Sequence, residues 1–540
     1  MTDSSAPAAA PRRRLFTWRR LLLGTVWAAS LLGAAQAGIF FMENRTAILR
    51  RLGRMPLSGI WQTNLHAVGW QRVPIFEDGR YGGIAPLAGG VLYTTRSGRM
   101  FFADSARQVR ELALKVPINA QEFDSDPFNA TTVDKDIFAV KDLMVLPAAG
   151  GIRILAVHHQ WDAAKDCNFL RISSVELTEA ALLSGGTAAW STLYDTRPCL
   201  PLGVRGAGVH IPTIGAGGRL APLNDREVLF SVGTFISDVH SLEDPSVYKD
   251  PAADHDYGRT LVIDLASGAK RTFTRGHRNP QGLAVAPDGR IWETEHAARG
   301  GDELNLLQEG RDFGYPFVSY GTMYGQMDWP LAKETGKHEG YDKPTFVWVP
   351  SLGISQVMHY SGKAFDRWKD DLIVSSLAAR SLFRVRIEDG KVIYVEPIPT
   401  GHRARDIIET ASGEIVFLAE DRFLVYLKPI GFGGDDPTLI PRELGQVVAG
   451  RCQGCHSFEK GGPSGIGPTL YGVVDRKIGG VGGFTYSDAL KAKGGRWTEE
   501  NLRAYIADPT KFAPGTSMEV NFQLSPRDLE NLLTYLKTLD

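Results

Sequence analysis

Six times between about residue 60 and residue 430 the chain repeats one pattern: a polar turn with Gly or Asp, a β-rich apolar run, and another polar turn. The units are Leu87–Tyr93, Gly150–Val157, Asn224–Phe230, Pro287–Trp292, Lys369–Val374 and Ala411–Phe417. Each reads as a hairpin arm, because β-branched and aromatic residues suit a pleated strand while Gly, Asn and Asp supply the turn. Recurrence at roughly 40 to 80 residues predicts propeller blades with long insertions, and six units predict six blades. The pattern leaves one alternative, a pair of β-sandwiches with unrelated hairpins. Fifty-nine Gly and 30 Pro favour turn-rich β structure over a large helical body. A chain of 540 residues is also too long for one core and should divide into domains.

Behind the repeats stands Cys452-Gln453-Gly454-Cys455-His456. Two thiols at this spacing can add across the two vinyl groups of a haem, and the histidine behind them becomes an axial ligand of iron. Half of a zinc site is the competing reading, but such a site needs four ligands, and Cys167 and Cys199 lie far upstream. An electron-transfer haem takes a second axial ligand, and a thioether raises its potential. Met518, in the turn Pro514–Met518, is the candidate; otherwise it is core filler.

The stretch from residue 443 to 540 resembles a class I cytochrome c. The resemblance is carried by Gly467–Gly472, Arg476-Lys477, Phe484–Ala489, Trp497, Leu502–Ile506, the Met518 loop and the closing segment Asp528–Leu539. It implies an all-α domain holding covalent haem c, with His456 and Met518 as axial ligands. It also implies that the Pro468 carbonyl backs the His456 imidazole. Tyr486, Trp497 and Arg476 would hold the haem propionates, and Tyr505 would lie near the Met518 sulfur.

Residues 1–20 form a basic tail, and Leu21–Met42 is a run of 22 residues without charge. A bilayer core needs roughly 20 helical residues. Ala35-Gln36-Ala37 looks like a signal-peptidase site, but the apolar run continues past it and favours an uncleaved single-pass anchor. Attached haem places the body on the outer side of the membrane, in the periplasm. A net charge of −1 gives no sign of a nucleic-acid partner. Cys167 and Cys199 either pair in that oxidising compartment or stand as separate buried thiols.

A second resemblance covers about residues 265–425. Gly276–Ala284, Pro287–Gly289, Trp292–His296, Gly300–Asn305 and Arg403–Asp406 are similar to the soluble quinoprotein sugar dehydrogenases, the aldose and sorbosone enzymes. These are six-bladed propellers that bind pyrroloquinoline quinone (PQQ) and calcium. PQQ carries three carboxylates, which guanidinium groups suit. The resemblance assigns Arg278, Arg403 and Arg405 to its anionic edges, with Asn279 as polar neighbour. It assigns the backbone carbonyls of Ala297 and Ala298 to calcium. Glu295, Asp302 and Glu303 either serve a cation or brace a loop, and Arg403 and Arg405 are otherwise a blade-closing ion-pair network.

The chain departs from that family where the chemistry is done. The family's base is a His a few residues before a Gly-Arg-Leu element. Here Gly217–Leu220 is present, Gly215 stands in the expected place, and His210 is the nearest histidine. Thr234 occupies the position of the Asp that orients the base, with Asp238 further on. The family's Lys after a Ser-Leu pair is replaced by Ala378, with Arg380 two positions later. His158 and His159 are other candidate bases, but adjacent strand residues point to opposite faces.

The reading that results is a membrane-anchored periplasmic quinohaemoprotein: propeller 60–430, linker 431–442, cytochrome 443–540. It would oxidise a sugar, alcohol or aldehyde and pass electrons through haem c to a redox partner protein or terminal oxidase. The rival is a tethered electron carrier whose propeller only docks a partner. No dinucleotide fingerprint offers another redox route.

Overall fold

The computed structural model describes residues 57–540 apart from 133–136, 202, 205–208, 211–214, 236–253, 330, 333, 431–440, 519–523 and 540. For 130–132, 203–204, 209–210 and 325 only the backbone is described. The apolar run 21–42, Asp238 and the linker 431–439 lie outside the described residues.

Among the described residues, strands from Ser58 to Ile430 form six antiparallel blade sheets and one two-stranded ribbon, and the innermost strands of the six blades contact one another in a closed ring. Those strands are Ile84–Leu87, Val140–Ala148, Gly217–Pro222, Pro280–Val285, Ile354–His359 and Ala404–Glu409, one each for blades 1 to 6. All six repeat units of the sequence fall on the turn from the innermost strand to the second strand of a blade. The second strand that leaves this turn is buried, so its first residues are apolar, while the turn itself is exposed and polar. Second strands such as Leu372–Ser376 are buried throughout, because both faces of each sheet pack on a neighbour.

Blade 6 is built from both ends of the ring. Ala67–Pro74 pairs antiparallel with Phe423–Ile430, from Ala67↔Ile430 to Pro74↔Phe423, and Ser58–Gln62 adds a fifth, outer strand. This pairing removes the free edges that an open ring would expose. A disulfide joins Cys167, in the third strand of blade 2, to Cys199, which settles the two alternatives the sequence left.

The C-terminal domain is helical: Pro441–Ala449, Asp488–Lys493, Glu499–Ala507, Pro509–Phe512 and Pro526–Leu536. Ser487, Thr498, Asp508 and Ser525 each accept a backbone N–H of the helix they begin. The first and last helices cross at Gly445, where an added Cβ would lie 1.9 Å from the Asn531 carbonyl oxygen. Only glycine allows that approach. Ile60, Ala67, Ile430 and Val447 pack together, so the first helix leans on the outer strands of blade 6. Among the described residues no helix is long and apolar enough to cross a membrane.

Candidate functional site

Five of the six innermost strands carry a β-bulge near the start. The ladder slips between Val140 and Asp142, Gly217 and Leu220, Pro280 and Gly282, Ile354 and Val357, and Ala404 and Asp406. A bulge leaves its extra residue unpaired and re-aims the side chain. The residues so presented are Lys141, Gly218 with Arg219, Gln281, Ser355 with Gln356, and Arg405. They come from sites up to 264 positions apart in sequence (405 − 141), yet they lie at one end of one channel.

Arg219 closes the channel below them. Its Nε donates to the Gln281 carbonyl at 2.8 Å and its Nη2 to the Arg405 carbonyl at 2.8 Å. Its Nη1 lies 3.2 Å from Asp142 and 3.1 Å from Asp406. The same carboxylates accept the N–H groups of Leu220 and Ile84. One side chain therefore ties blade 3 to blades 2, 4 and 6.

Asn279 and Arg405 join this plug through Gln281 and the Arg405 carbonyl, and Arg278 and Arg405 both act on His296. The Gln281 amide donates to Asn279 Oδ1 at 2.6 Å. Arg278 Nη1 donates to the His296 carbonyl at 2.8 Å. Arg403 and Arg405 both pair with Glu420, and Arg403 also reaches the Leu377 carbonyl at 3.3 Å. The ion-pair network weighed from the sequence thus exists, yet it leaves Arg405 Nε buried with no hydrogen-bond partner. That orphaned donor fits an incoming anion. Arg380 is exposed, in a left-handed turn (φ 50°).

His296 is the residue the sequence reading passed over, although it lay inside a quoted motif. Burial pushes its imidazole below the usual value; Asp302 opposes this, and Arg278 and Arg405 add to it. Its imidazole, with its pKa lowered in this way, sits beside two of the candidate cofactor arginines. The backbone of His210 pairs with Gly203 in a two-stranded ribbon, and its side chain is outside the described residues. Thr234 donates its backbone N–H to the Arg278 carbonyl at 2.9 Å. His158 is locked in blade 2, bonded to the His159 carbonyl and to Ser173 Oγ, each at 2.8 Å, and burial lowers its pKa to about 4. His159 is enclosed by Phe138 and Phe235, and burial lowers its pKa to about 3.

Asp302 braces the loop: it accepts the N–H groups of Ala297 (2.8 Å), Leu352 (2.8 Å) and Ile354 (3.1 Å). The carbonyls of Ala297 and Ala298 accept no hydrogen bond among the described residues, which suits a hard cation. A small cavity of about 20 Å³ lined by Arg278, Glu295, Ala297, Glu303, Tyr315 and His338 adjoins them. Burial first, and then the Glu295 carboxylate, push the Glu303 carboxyl well above the usual carboxylate range. His277, Glu293 and Glu295 bring donor atoms within 4.8 Å of one another. Burial opposes charge on His277, but Glu293 and Glu295 prevail and push its pKa up to about 10. Its proton offsets one of the two glutamate charges, while the free Ala297 and Ala298 carbonyls give the Glu303 side its hard-oxygen donors.

The helical domain encloses a second cavity, about 1300 Å³ with its mouth. Cys452, Cys455, His456, Pro468, Arg476, Tyr486, Trp497, Tyr505 and Met518 all lie on its wall. One helical turn carries the motif, His456 N–H donating to the Cys452 carbonyl at 3.0 Å. His456 Nδ1 bonds the Pro468 carbonyl at 2.7 Å, leaving Nε2 for iron. A Cβ on Gly467 would stand 2.2 Å from His456 Cε1, so glycine makes room for the ring. Tyr505 Oη bonds Thr516 Oγ1 at 2.8 Å, two residues before Met518. Arg476 donates to the Thr469 and Tyr471 carbonyls at 2.7 and 2.9 Å, while its Nε has no partner. Burial without an anion lowers its pKa, which suits a propionate. Burial pushes the Cys452 thiol up to about 11. Fold and walls fit covalent haem c.

A six-bladed propeller of the sugar dehydrogenase type, followed by a haem-binding helical domain, is the class these features define. Residues 261–424 match the Glucose / Sorbosone dehydrogenase family and residues 443–540 match Cytochrome c. Through its C-terminal domain the chain belongs to the cytochrome c family: it is 42% identical over 87 residues to cytochrome c of Gibberella zeae, covering 16% of this chain and 82% of that one. It is 31% identical over 159 residues to the aldose sugar dehydrogenase YliI of Escherichia coli, covering 29% of this chain and 43% of that one. The chain spans 37% of an uncharacterised Synechocystis protein and 53% of a Bradyrhizobium diazoefficiens cytochrome c homolog, so about half or less of these relatives' length. A solved glucose dehydrogenase aligns with 70% of this chain and 100% of its own, at TM-score 0.52 and 24% identity, a likeness of fold.

Proposed function

We propose that this chain oxidises a sugar, alcohol or aldehyde at PQQ bound on the bulged end of the propeller channel, and delivers the electrons to haem c. The observation that carries the reading is the placing of Arg278 and Arg405 beside His296, with Asn279 and Arg405 tied to the Arg219 plug and a buried Arg405 Nε left unpaired. PQQ when bound supplies the two-electron acceptor, and calcium would polarise it. The arginines bind and orient its carboxylates. The Ala297 and Ala298 carbonyls and Glu303 hold the cation. His296, kept neutral by burial, takes the substrate hydroxyl proton at a ring nitrogen.

His456 and Met518 hold the haem iron, and Arg476, Tyr486 and Trp497 neutralise and enclose the propionates. The reading includes an anchor at 21–42 and a periplasmic address, which the Cys167–Cys199 disulfide favours. Domain limits of 60–430 and 443–540, and a respiratory acceptor, belong to the same proposal.

The test is reconstitution. Full-length haem-loaded protein is given PQQ and calcium, then aldoses, alcohols and aldehydes, while the haem absorbance is followed. Substrate-dependent haem reduction that needs PQQ supports the reading. Neither PQQ binding nor haem reduction across the panel would overturn it in favour of a docking propeller.

A further inference from the structure

We infer that Lys141 is the receptor for an anionic group, a carboxylate, of the ligand bound at the bulged end of the channel. The inference rests on the cofactor reading above and assigns one of its contacts.

Lys141 lies in the innermost strand of blade 2, and the ladder runs from Val140↔His158 directly to Asp142↔Val157. It is the extra residue of the bulge. A bulge there aims its side chain out of the regular pleat. Gly218 makes the space: its φ is +103°, and a Cβ on it would stand 2.8 Å from Lys141 Cβ.

The side chain is 7% exposed. Its Nζ lies 3.9 Å from the centroid of the Tyr81 ring, and the Arg405 guanidinium lies 4.2 Å from that same centroid. The charges nearest to it are the cations Arg405 and Arg219. The carboxylates of the neighbouring strands are already spent: Asp142 and Asp406 on Arg219 and backbone N–H groups, Glu420 on Arg403 and Arg405. Among the described residues Lys141 Nζ has no carboxylate partner and no hydrogen-bond acceptor.

A buried ammonium without an anion is costly, and lysine is almost never fully buried unless paired. A leucine or methionine would be cheaper in an empty channel. Burial and the two guanidiniums push the Lys141 pKa far down, and a ligand carboxylate would supply the missing charge. Arg405 Nε, buried and unpartnered, stands ready as a second donor on a guanidinium that shares the Tyr81 ring with Lys141. Where the related dehydrogenases place a lysine after Ser-Leu, this chain has Ala378; Lys141 brings a cation in from another blade.

The carboxylate belongs either to PQQ or to a small acid, and calorimetric titration of the full-length protein separates the two. Probes are PQQ, PQQ trimethyl ester and citrate. Lys141→Met should weaken PQQ binding about 10- to 100-fold, the worth of one charge-assisted hydrogen bond, with the melting temperature unchanged or raised. Lys141→Arg should retain most of the affinity, and the ester should bind the wild type and Lys141→Met alike. Equal PQQ affinity in the wild type and Lys141→Met overturns the inference while leaving the cofactor reading intact. Citrate binding that depends on Lys141, with no PQQ binding, overturns the cofactor reading and keeps the anion site. Binding of neither acid overturns both.

Discussion

Arg219 Nη1 lies 3.1 Å from Asp406 Oδ2, and both side chains are almost wholly buried. This ion pair joins blade 3 to blade 6 across the channel, with Asp142 of blade 2 as third member. Removing the cation leaves two buried carboxylates with only backbone donors. Arg219→Met is expected to cost about 3–5 kcal/mol, read from urea unfolding. Adding Asp142→Asn and Asp406→Asn should recover part of the loss. An unfolding midpoint untouched by Arg219→Met would show that the plug does not hold the ring.

Glu77 is 8% exposed with Oε2 unpaired, and burial followed by repulsion from Glu420 raises its pKa to about 8. The unfolded value is 4.5. Between those values the folded state binds the proton more tightly than the unfolded state. The cost of ionising Glu77 is absent below about pH 4.5 and grows as pH rises through 8. Glu77→Gln should therefore stabilise the protein at pH 9 by on the order of 2–4 kcal/mol and change little at pH 5. Parallel denaturation curves at the two pH values check the sign.

The Cys167–Cys199 bridge closes a loop with a sequence separation of 32. Chain-entropy arguments give such a loop about 3–4 kcal/mol. The double substitution to Ser should lower stability by that order, and reduction of the wild type should match it. The haem spectrum should stay as it was, because the bridge lies in blade 2.

Gly467 passes so close to the His456 ring that a methyl group cannot enter without displacing it. Gly467→Ala should break the 2.7 Å bond from His456 to Pro468 and shift the haem reduction potential. Potentiometric titration measures the shift. An unaltered potential with full haem occupancy would mean that the loop, not the ring, gives way.

Much of this architecture was readable from local pattern. The six turn-and-run units mark the same hairpin in six blades, because burial on two faces leaves little choice of residue there. Cys452, Cys455, His456 and Met518 were legible because haem attachment and ligation demand those side chains at those spacings. Arg278 and Arg405 were found by motif. His296 was hidden in plain view: nothing local distinguishes a neutral imidazole beside two guanidiniums from a strand-end histidine. His158 and His159 drew attention as a pair, yet both are enclosed in blade 2.

By itself, the amino-acid order determined the number of blades, the helical haem domain and the kinds of charge gathered in the second half of the propeller. Which charges remain available was decided only by the fold. Hairpin pairing within blade 6 brings Glu420 to Arg403 and Arg405, while ring closure brings Asp142 and Asp406 to Arg219 and, among the described residues, no acid to Lys141. Ion pairing at Arg219 depends on distances of a few ångströms between strands 77 (219 − 142) and 187 (406 − 219) residues apart. Those distances follow from the closed ring and from bulges that turn one or two residues of five innermost strands into the channel, and no local stretch of sequence encodes them.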